Sequence, residues 1–234
     1  TAASGNGVMV AVADGMGGHA SGEVASQLAV ETVAAFFQET AEDEDMTWPF
    51  KMDKDREYQE NRVVTGVKLA NRRIFEQAIE EPRLKGRGTT LVMVFFNNGG
   101  CYIGHVGDSR VYRLRGESLT QLTEDHSLLN DYIKMKELTP EEIENFPHKN
   151  VIVRALGMKE TVQVDTQFEI PQHGDLYLLC SDGLSGMITD EVICETMIEH
   201  RADLEMACAQ LIEKANKNGG TDNVTVVLGE FVED

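Results

Sequence analysis

Two runs of strand-forming residues joined by a tight turn constrain the fold of this 234-residue chain more than any other feature. The runs are Thr89–Phe96 (TTLVMVFF) and Cys101–Val106 (CYIGHV), and the sequence NNGG connects them. Asn and Gly readily adopt the positive φ angles of hairpin turns, whereas a parallel crossover needs a connection of a dozen or more residues. The pair therefore predicts antiparallel strands in the middle of the chain.

Further strands are predicted on both sides of this hairpin, at 8–13, 111–114, 162–170, 176–180 and 223–231. In the 162–170 run, alternate residues are apolar or β-branched, which predicts one buried face: Val162, Val164, Thr166, Phe168 and Ile170.

Helical spacing of apolar residues predicts helices after Ser21, taken as an N-cap, over 63–78, and over 190–200 and 204–216. The acid-rich segment Glu39–Asp55 is interpreted as a solvated loop. Helices thus come early and late, with strand clusters between them, and no repeat or linker divides the chain. This order favours a single α+β domain over residues 1–234, with antiparallel sheets covered by helices.

Composition narrows the function classes. The 21 basic and 40 acidic residues give a net charge of −19, which argues against nucleic acid or an anionic membrane surface as a partner. No apolar run approaches the ~20 residues of a membrane helix, and no signal-peptide pattern opens the sequence. The four cysteines form no C-x-x-C pair, and buried thiols in a reducing cytoplasm are the expectation.

An aspartate stands at one end of each of four apolar strand candidates: Asp14, Asp108, Asp182 and Asp222. A single such residue is typical of an ordinary turn. If the four strand ends converge, however, two carboxylates ~5 Å apart repel by about 3 kcal/mol at an effective dielectric of 20. Hard divalent cations such as Mg²⁺ or Mn²⁺ relieve that repulsion. The four aspartates are therefore the candidate metal ligands.

Five motifs in the same order resemble those of the bacterial type 2C metal-dependent protein phosphatases. The similarity covers almost the whole chain and rests on the segments Val12–His19 with Gly22–Ser26, Gly88–Thr90, His105–Arg110, Leu179–Leu184 and Thr221–Thr225. The resemblance implies two central antiparallel sheets in an α-β-β-α sandwich, with a flap subdomain over residues 125–150. It also implies hydrolysis of phosphoserine and phosphothreonine in proteins.

The resemblance further assigns roles at the metal centre. Asp14 would bridge two Mn²⁺ or Mg²⁺ ions, the Gly15 carbonyl would add a ligand, and Asp182 with Asp222 would complete one of them. Asp108 would help hold a third ion, with Asp182 shared. Two such ions lower the pKa of a bridging water, and the hydroxide then attacks phosphorus in line. The implied partners are phosphorylated proteins and a cognate Ser/Thr kinase, with the enzyme a cytoplasmic monomer.

One departure from the family pattern leaves an alternative open. The family carries an Arg and an acidic residue upstream of the Asp14 motif, and residues 1–13 contain neither. We expect that upstream residues are missing from this sequence; the alternative is a pseudophosphatase that keeps the fold as a binding module.

Three other patterns allow a functional interpretation. His19 could protonate the leaving alkoxide as a general acid, or could simply pack in the loop. A G-x-G-x-x-A pattern at 15–20 is compatible with dinucleotide binding, but the following helix leads into an acidic loop instead of a strand. Asp53-x-Asp55 invites an aspartyl-phosphate interpretation, although it does not follow an apolar strand.

Overall fold

The computed structural model shows strands that pair almost entirely with neighbours of opposite direction. It describes residues 2–4, 7–17, 19–42, 47–81, 86–136, 138–144, 146–147 and 151–233. The strands are β1 (Ala2–Ser4), β2 (Gly7–Val12), β3 (Gly15–Met16), β4 (Gly88–Thr89), β5 (Leu91–Asn97), β6 (Gly100–Val106), β7 (Arg110–Arg115), β8 (Ser118–Gln121), β9 (Asp165–Glu169), β10 (Leu176–Cys180) and β11 (Val226–Glu230). The helices are α1 (His19–Glu42), α2 (Tyr58–Glu80), α3 (Leu128–Met135), α4 (Pro140–Glu144), α5 (Asp182–Ser185), α6 (Asp190–Glu199) and α7 (Leu204–Lys217).

Two main sheets hold most of these strands. The first has the order β1-β2-β5-β6-β9, and the second has the order β11-β10-β7-β8. Neighbouring strands in both sheets are antiparallel. The predicted hairpin forms β5 and β6, and Asn97 pairs with Gly100 at its turn. The short strands β3 and β4 pair separately beside the end of the first sheet.

Alternating side chains of β5 separate two hydrophobic layers. Leu91, Met93 and Phe95 belong to a core formed with the apolar faces of α1 and α2. Val92 and Val94 belong instead to the core between the two sheets. All five are fully buried, as expected of a strand covered on both faces.

The same alternation organises the other half of the molecule. On β10, Tyr177 and Leu179 face the first sheet, whereas Leu176 and Leu178 pack with residues of α6 and α7 such as Met197. The layers therefore run helices, sheet, sheet, helices. This confirms the predicted α+β sandwich of two antiparallel sheets.

Three details of the sequence interpretation are wrong. Helix α1 begins at His19 and not after an N-cap at Ser21, whose hydroxyl donates to the Gly17 carbonyl at 2.7 Å. The helix also continues through Glu39 to Glu42, so the acidic loop starts later than predicted. Phe168 of the edge strand β9 is 48% exposed, and Ile170, just after the end of that strand, is 70% exposed.

Cysteine burial agrees only in part with the prediction. Cys101 and Cys180 are buried, Cys194 and Cys208 are half-buried, and all four are free thiols.

Within the described part of the chain, no helix has both the length and the apolar character to cross a membrane.

The segment predicted as a flap contains α3 and α4, and its two ends are joined at the base. Ser127 forms a β-bridge with Ile152, and the Leu128 N–H donates to the Val151 carbonyl at 2.8 Å. The chain thus leaves the second sheet after β8 and returns to the same place before β9.

Candidate active site

Strand direction brings the four aspartates to one end of the sandwich. Strands β2 and β6 both run antiparallel to β5, so their carboxyl ends lie at the same end of the first sheet. Asp14 follows β2 there, and Asp108 follows β6. In the second sheet, Cys180 at the end of β10 pairs with Val226 at the start of β11. Asp182 and Asp222 lie just beyond that pair.

The electrostatics show that the four carboxylates face one another. The pKa of Asp14 is raised from 3.8 to about 7, first by burial and then by Asp182, Asp222 and Asp108. Burial followed by the charges of Asp182 and Asp125 likewise raises the pKa of Asp108 to about 7. Burial, together with the negative charge of Asp222, raises the pKa of Asp182. Arg110 lowers the pKa of Asp108 in the opposite direction, but the effects of burial and of the neighbouring carboxylates are larger.

One oxygen of this cluster lacks a hydrogen-bond partner among the described residues. The Oδ1 atom of Asp182 is buried, and none of those residues donates to it. A buried carboxylate oxygen without a donor is costly, because burial removes its hydration and nothing replaces it. A divalent cation would supply the missing interaction, so the donor set fits a metal centre made of carboxylate oxygens.

Two threonines fix the backbone at Asp14. The Asp14 N–H donates to Thr90 Oγ1 at 3.0 Å, and the Asp14 carbonyl accepts from the Thr90 N–H at 2.9 Å and from Thr89 Oγ1 at 2.8 Å. Thr90 Oγ1 also lies 2.7 Å from the Ser109 hydroxyl, next to Asp108. The Thr89–Thr90 pair therefore connects the loops that carry two of the four aspartates.

A second set of contacts joins the loops of Asp182 and Asp222. The Ser181 hydroxyl donates to the Asn223 carbonyl at 3.2 Å and accepts from the Thr225 N–H at 3.1 Å. A side chain at Gly183 would meet the Asn223 carbonyl oxygen at 2.2 Å, so this close approach requires glycine. The two loops are consequently held at a fixed separation.

A cleft of about 340 Å³ opens beside Asp108, Asp182 and Asp222. Two residues that the sequence did not suggest also line it: Arg110 and Asp125. The Arg110 guanidinium binds both oxygens of Asp125, with Nε at 2.9 Å from Oδ1 and Nη2 at 2.6 Å from Oδ2. Asp125 is thereby paired with a guanidinium, which sets it apart from the four clustered aspartates. The signal that could have identified Asp125 is its position after β8, at the same end of the sandwich as the four aspartates.

The other predicted site residues fall in three places. Gly15, the residue after Asp14, begins β3 and is exposed. His19 is the first residue of α1, and its side chain lies outside the described residues. Asp53 contacts Arg56 at 3.6 Å on the surface, in the loop before α2. The helix-to-helix order of α1 and α2 also excludes the βαβ unit of a dinucleotide site.

Comparison with known proteins agrees with this arrangement. The family model described as Protein phosphatase 2C matches residues 1–230. The serine/threonine phosphatase Stp of Listeria welshimeri is 41% identical over 227 residues, which are 95% of this chain and 84% of that protein.

Solved structures show the same fold. The crystal structure of the Mycobacterium tuberculosis serine/threonine phosphatase PstP/Ppp superposes with a TM-score of 0.83 at 36% identity, covering 96% of this chain and 88% of that one. A structure of the PstP catalytic domain in complex with 2 manganese ions gives a TM-score of 0.75 at 35% identity, with coverages of 96% and 88%. From the family match and the similarity in sequence and fold, we conclude that this chain belongs to the protein phosphatase 2C family.

Proposed function

We propose that this chain removes phosphate from phosphoserine and phosphothreonine in proteins and that the aspartate cluster is its divalent-cation centre. The observation that carries the proposal is the convergence of Asp14, Asp108, Asp182 and Asp222 at one end of the sandwich, beside an open cleft. Family membership and relatives named serine/threonine phosphatases support the reaction class. Nothing in these comparisons favours an inactive binding module.

The proposed ligand set is the one that the family resemblance implies. Asp14 would bridge two ions, the Gly15 carbonyl would contribute to one of them, and Asp182 with Asp222 would complete a coordination sphere. Asp108 would hold a third, weaker ion together with Asp182. Oxygen donors without His or Cys favour Mn²⁺ or Mg²⁺ over zinc. The unsatisfied Asp182 Oδ1 supports this assignment.

The chain's own residues then have distinct tasks. When bound, a pair of divalent ions supplies a water of lowered pKa and offsets charge on the phosphoryl oxygens. Asp14 and Asp182 would hold that centre rigidly, because the hydroxyls of Thr90 and Ser181 hydrogen-bond to backbone groups of the loops that carry the aspartates. Arg110 is committed to Asp125 and therefore organises the cleft wall. His19 donates a proton to the leaving alkoxide.

Substrate contact is assigned to the segment 125–150, which we propose acts as a flap of the single domain 1–234. Ser127, Leu129 and Asn130 of this segment line the cleft. Tyr132 and Met135 of α3 are 41% and 79% exposed, so apolar surface is available close to the cleft. A phosphorylated protein segment can thus contact the flap while its phosphate reaches the aspartates.

The remaining parts of the proposal concern the cell. Phosphoproteins and a cognate Ser/Thr kinase are the proposed partners, and the enzyme acts as a monomer. Its four free thiols support a reducing, cytoplasmic location.

Exchange of Asp182 for asparagine tests the proposal. We expect Asp182→Asn to abolish most of the Mn²⁺ binding heat in calorimetry and to lower turnover of a phosphothreonine peptide by roughly 100-fold or more. Asp53→Asn is the control, because it removes one carboxylate from the surface loop and should change neither quantity. Normal turnover in Asp182→Asn would contradict the metal assignment. Metal binding by the wild type without turnover would favour the pseudophosphatase alternative.

A further inference from the structure

His126 is a buried histidine that the proposed chemistry does not use, and it lies directly behind the loop of Asp108. Only 4% of its surface is exposed. Its Nδ1 atom accepts the Gly107 N–H at 3.0 Å, and its own backbone N–H donates to the Gly107 carbonyl at 2.9 Å. His126 therefore holds the residue before Asp108 through two hydrogen bonds.

Thr90 holds the residue after Asp108, on the side opposite His126 along the chain. The Ser109 hydroxyl lies 2.7 Å from Thr90 Oγ1. Gly107 adopts φ +110° and packs so closely on Thr90 that a Cβ atom would meet its Cγ2 at 2.6 Å. Asp108 thus projects from a backbone fixed at both neighbouring residues, and its direction depends on both contacts.

The partners of its two ring nitrogens, Gly107 and Asp165, determine which nitrogen of His126 carries the proton. Because Nδ1 accepts a hydrogen bond from Gly107, the proton of the neutral ring is assigned to Nε2. Nε2 lies 3.0 Å from Asp165 Oδ2 and donates to it. The other oxygen, Oδ1, accepts from Arg154 Nη1 at 2.8 Å. The chain of contacts runs from Arg154 through Asp165 and His126 to Gly107.

The same residues could suggest a cation site, since His105, His126 and Asp165 place potential ligand atoms within 4.8 Å of one another. However, Arg154 already supplies a positive charge to Asp165, because its Nη1 donates to Asp165 Oδ1. Nη1 also lies 2.9 Å from His126 Nε2. A guanidinium only donates and Nε2 carries the proton, so both groups donate to the Asp165 carboxylate and not to each other. His105 uses its Nε2 for the Glu124 carbonyl at 2.9 Å and stacks on the His126 ring with centroids 4.7 Å apart. The cluster is therefore a hydrogen-bond network around a guanidinium.

We propose that His126 is a positioning residue that sets the direction of the Asp108 carboxylate through the Gly107 backbone, with Asp165 fixing its tautomer. The inference rests on the proposed function, because it requires Asp108 to act at the cation centre. It predicts that loss of the Nδ1 acceptor weakens the contribution of Asp108 to turnover and to Mn²⁺ activation. A histidine that only stabilised the fold would not change either property per folded molecule.

Two substitutions of His126 separate its hydrogen bonds. The amide of His126→Gln reaches the position of Nε2 and keeps the contact with Asp165, but it leaves the Gly107 N–H without an acceptor. The carbonyl of His126→Asn lies near the position of Nδ1 and can still accept that N–H. We expect His126→Gln to lower kcat roughly 10-fold and to raise the Mn²⁺ midpoint. His126→Asn should retain most of the turnover.

Asp165→Asn tests the tautomer without touching His126, and it serves if His126→Gln does not fold. Arg154 keeps the Asn carbonyl oxygen on its own side, so the NH₂ group faces His126 Nε2. Nε2 must then accept a hydrogen bond, so the ring proton moves to Nδ1. There the proton faces the Gly107 N–H, and the hydrogen bond from Gly107 to Nδ1 is lost. We expect the same direction of change as in His126→Gln.

The deciding measurement compares these variants in wild-type and Asp108→Asn backgrounds, with turnover expressed per folded molecule from the melting curve. Non-additivity is expected: after Asp108→Asn, neither His126→Gln nor Asp165→Asn should lower kcat further. Equal losses in both backgrounds, or equal losses in His126→Gln and His126→Asn, would overturn the positioning role. The proposed function fails separately, if wild type shows no Mn²⁺-dependent turnover or if Asp108→Asn alone leaves it unchanged.

Discussion

At the scale of single residues, the site consists of ordinary turn aspartates made unusual by their surroundings. Burial and mutual repulsion raise the pKa of both Asp14 and Asp108 to about 7. Each residue was recognisable from the sequence as an aspartate at a strand end. Their hydrogen-bond partners were not, because contacts such as Thr90 to Asp14 join positions 76 residues apart. Periodicity carries no information about such pairs.

His126 gives a pH dependence of stability that can be isolated. Burial lowers its pKa from 6.5 to about 4 in the folded protein. Between these values the unfolded chain binds the proton and the folded chain does not, so stability falls as pH decreases from about 6.5 to about 4. In chemical denaturation, wild type should lose more stability than His126→Asn over this range. Equal losses of stability in the two proteins would show that the pKa of His126 is the same in the folded and the unfolded state.

At the scale of elements, close approach of α2 to the first sheet depends on a glycine in β6. A Cβ atom at Gly104 would lie 2.3 Å from Val63 Cγ1 of α2. Val63 is fully buried in the core between the helices and the sheet. The helix can therefore approach this strand only where the side chain is missing.

Replacement of Gly104 by alanine should separate fold stability from chemistry. Overpacking against Val63 is expected to lower the free energy of unfolding of Gly104→Ala by about 1–3 kcal/mol. Turnover per folded molecule should stay unchanged, because Gly104 lies within β6 and away from the aspartates. Gly229→Ala in β11 is the matched control, since no atom lies within 4 Å of its Cβ position. A neutral Gly104→Ala would mean that α2 shifts without cost.

The errors in the sequence interpretation also belong to the scale of elements. A Ser followed by an acidic residue resembles an N-cap, yet α1 starts two residues earlier, and the Ser21 hydroxyl donates to the Gly17 carbonyl four residues back. Alternation in the 162–170 run predicted one buried face, and Val164 is buried while Phe168 is half-exposed. Local patterns identify strands, but burial depends on whether another layer covers the end of the strand.

At the scale of the whole molecule, the hairpin and the order of helices and strands were sufficient to predict a layered antiparallel fold. The strand order was not predictable from pattern alone. Strand β6 pairs with β9, and β7 pairs with β10, across some 60 residues that include the proposed flap. The resemblance to a known family implied two central antiparallel sheets flanked by helices, but not the order of the strands within them. Hydrophobic periodicity by itself states only that each strand has a buried face.

The net charge of −19 and the aspartate cluster together predict how the whole protein responds to cations. Sodium chloride screens the distributed charge, whereas Mn²⁺ or Mg²⁺ also binds the folded cluster specifically. At 100 times the dissociation constant, one bound ion stabilises the folded state by about 2.7 kcal/mol. For a domain of this size, that corresponds to a rise in melting temperature of roughly 5–11 °C.

Melting temperature should therefore rise more in Mn²⁺ than in sodium chloride of equal ionic strength, and a chelator should reverse the difference. Asp182→Asn provides the discriminating control, because it changes the total charge by only one unit while removing the proposed ligand shared between ions. Its melting temperature should respond equally to both salts. If wild type also responds equally to both, screening of the acidic surface explains the stabilisation and the cluster does not select divalent cations.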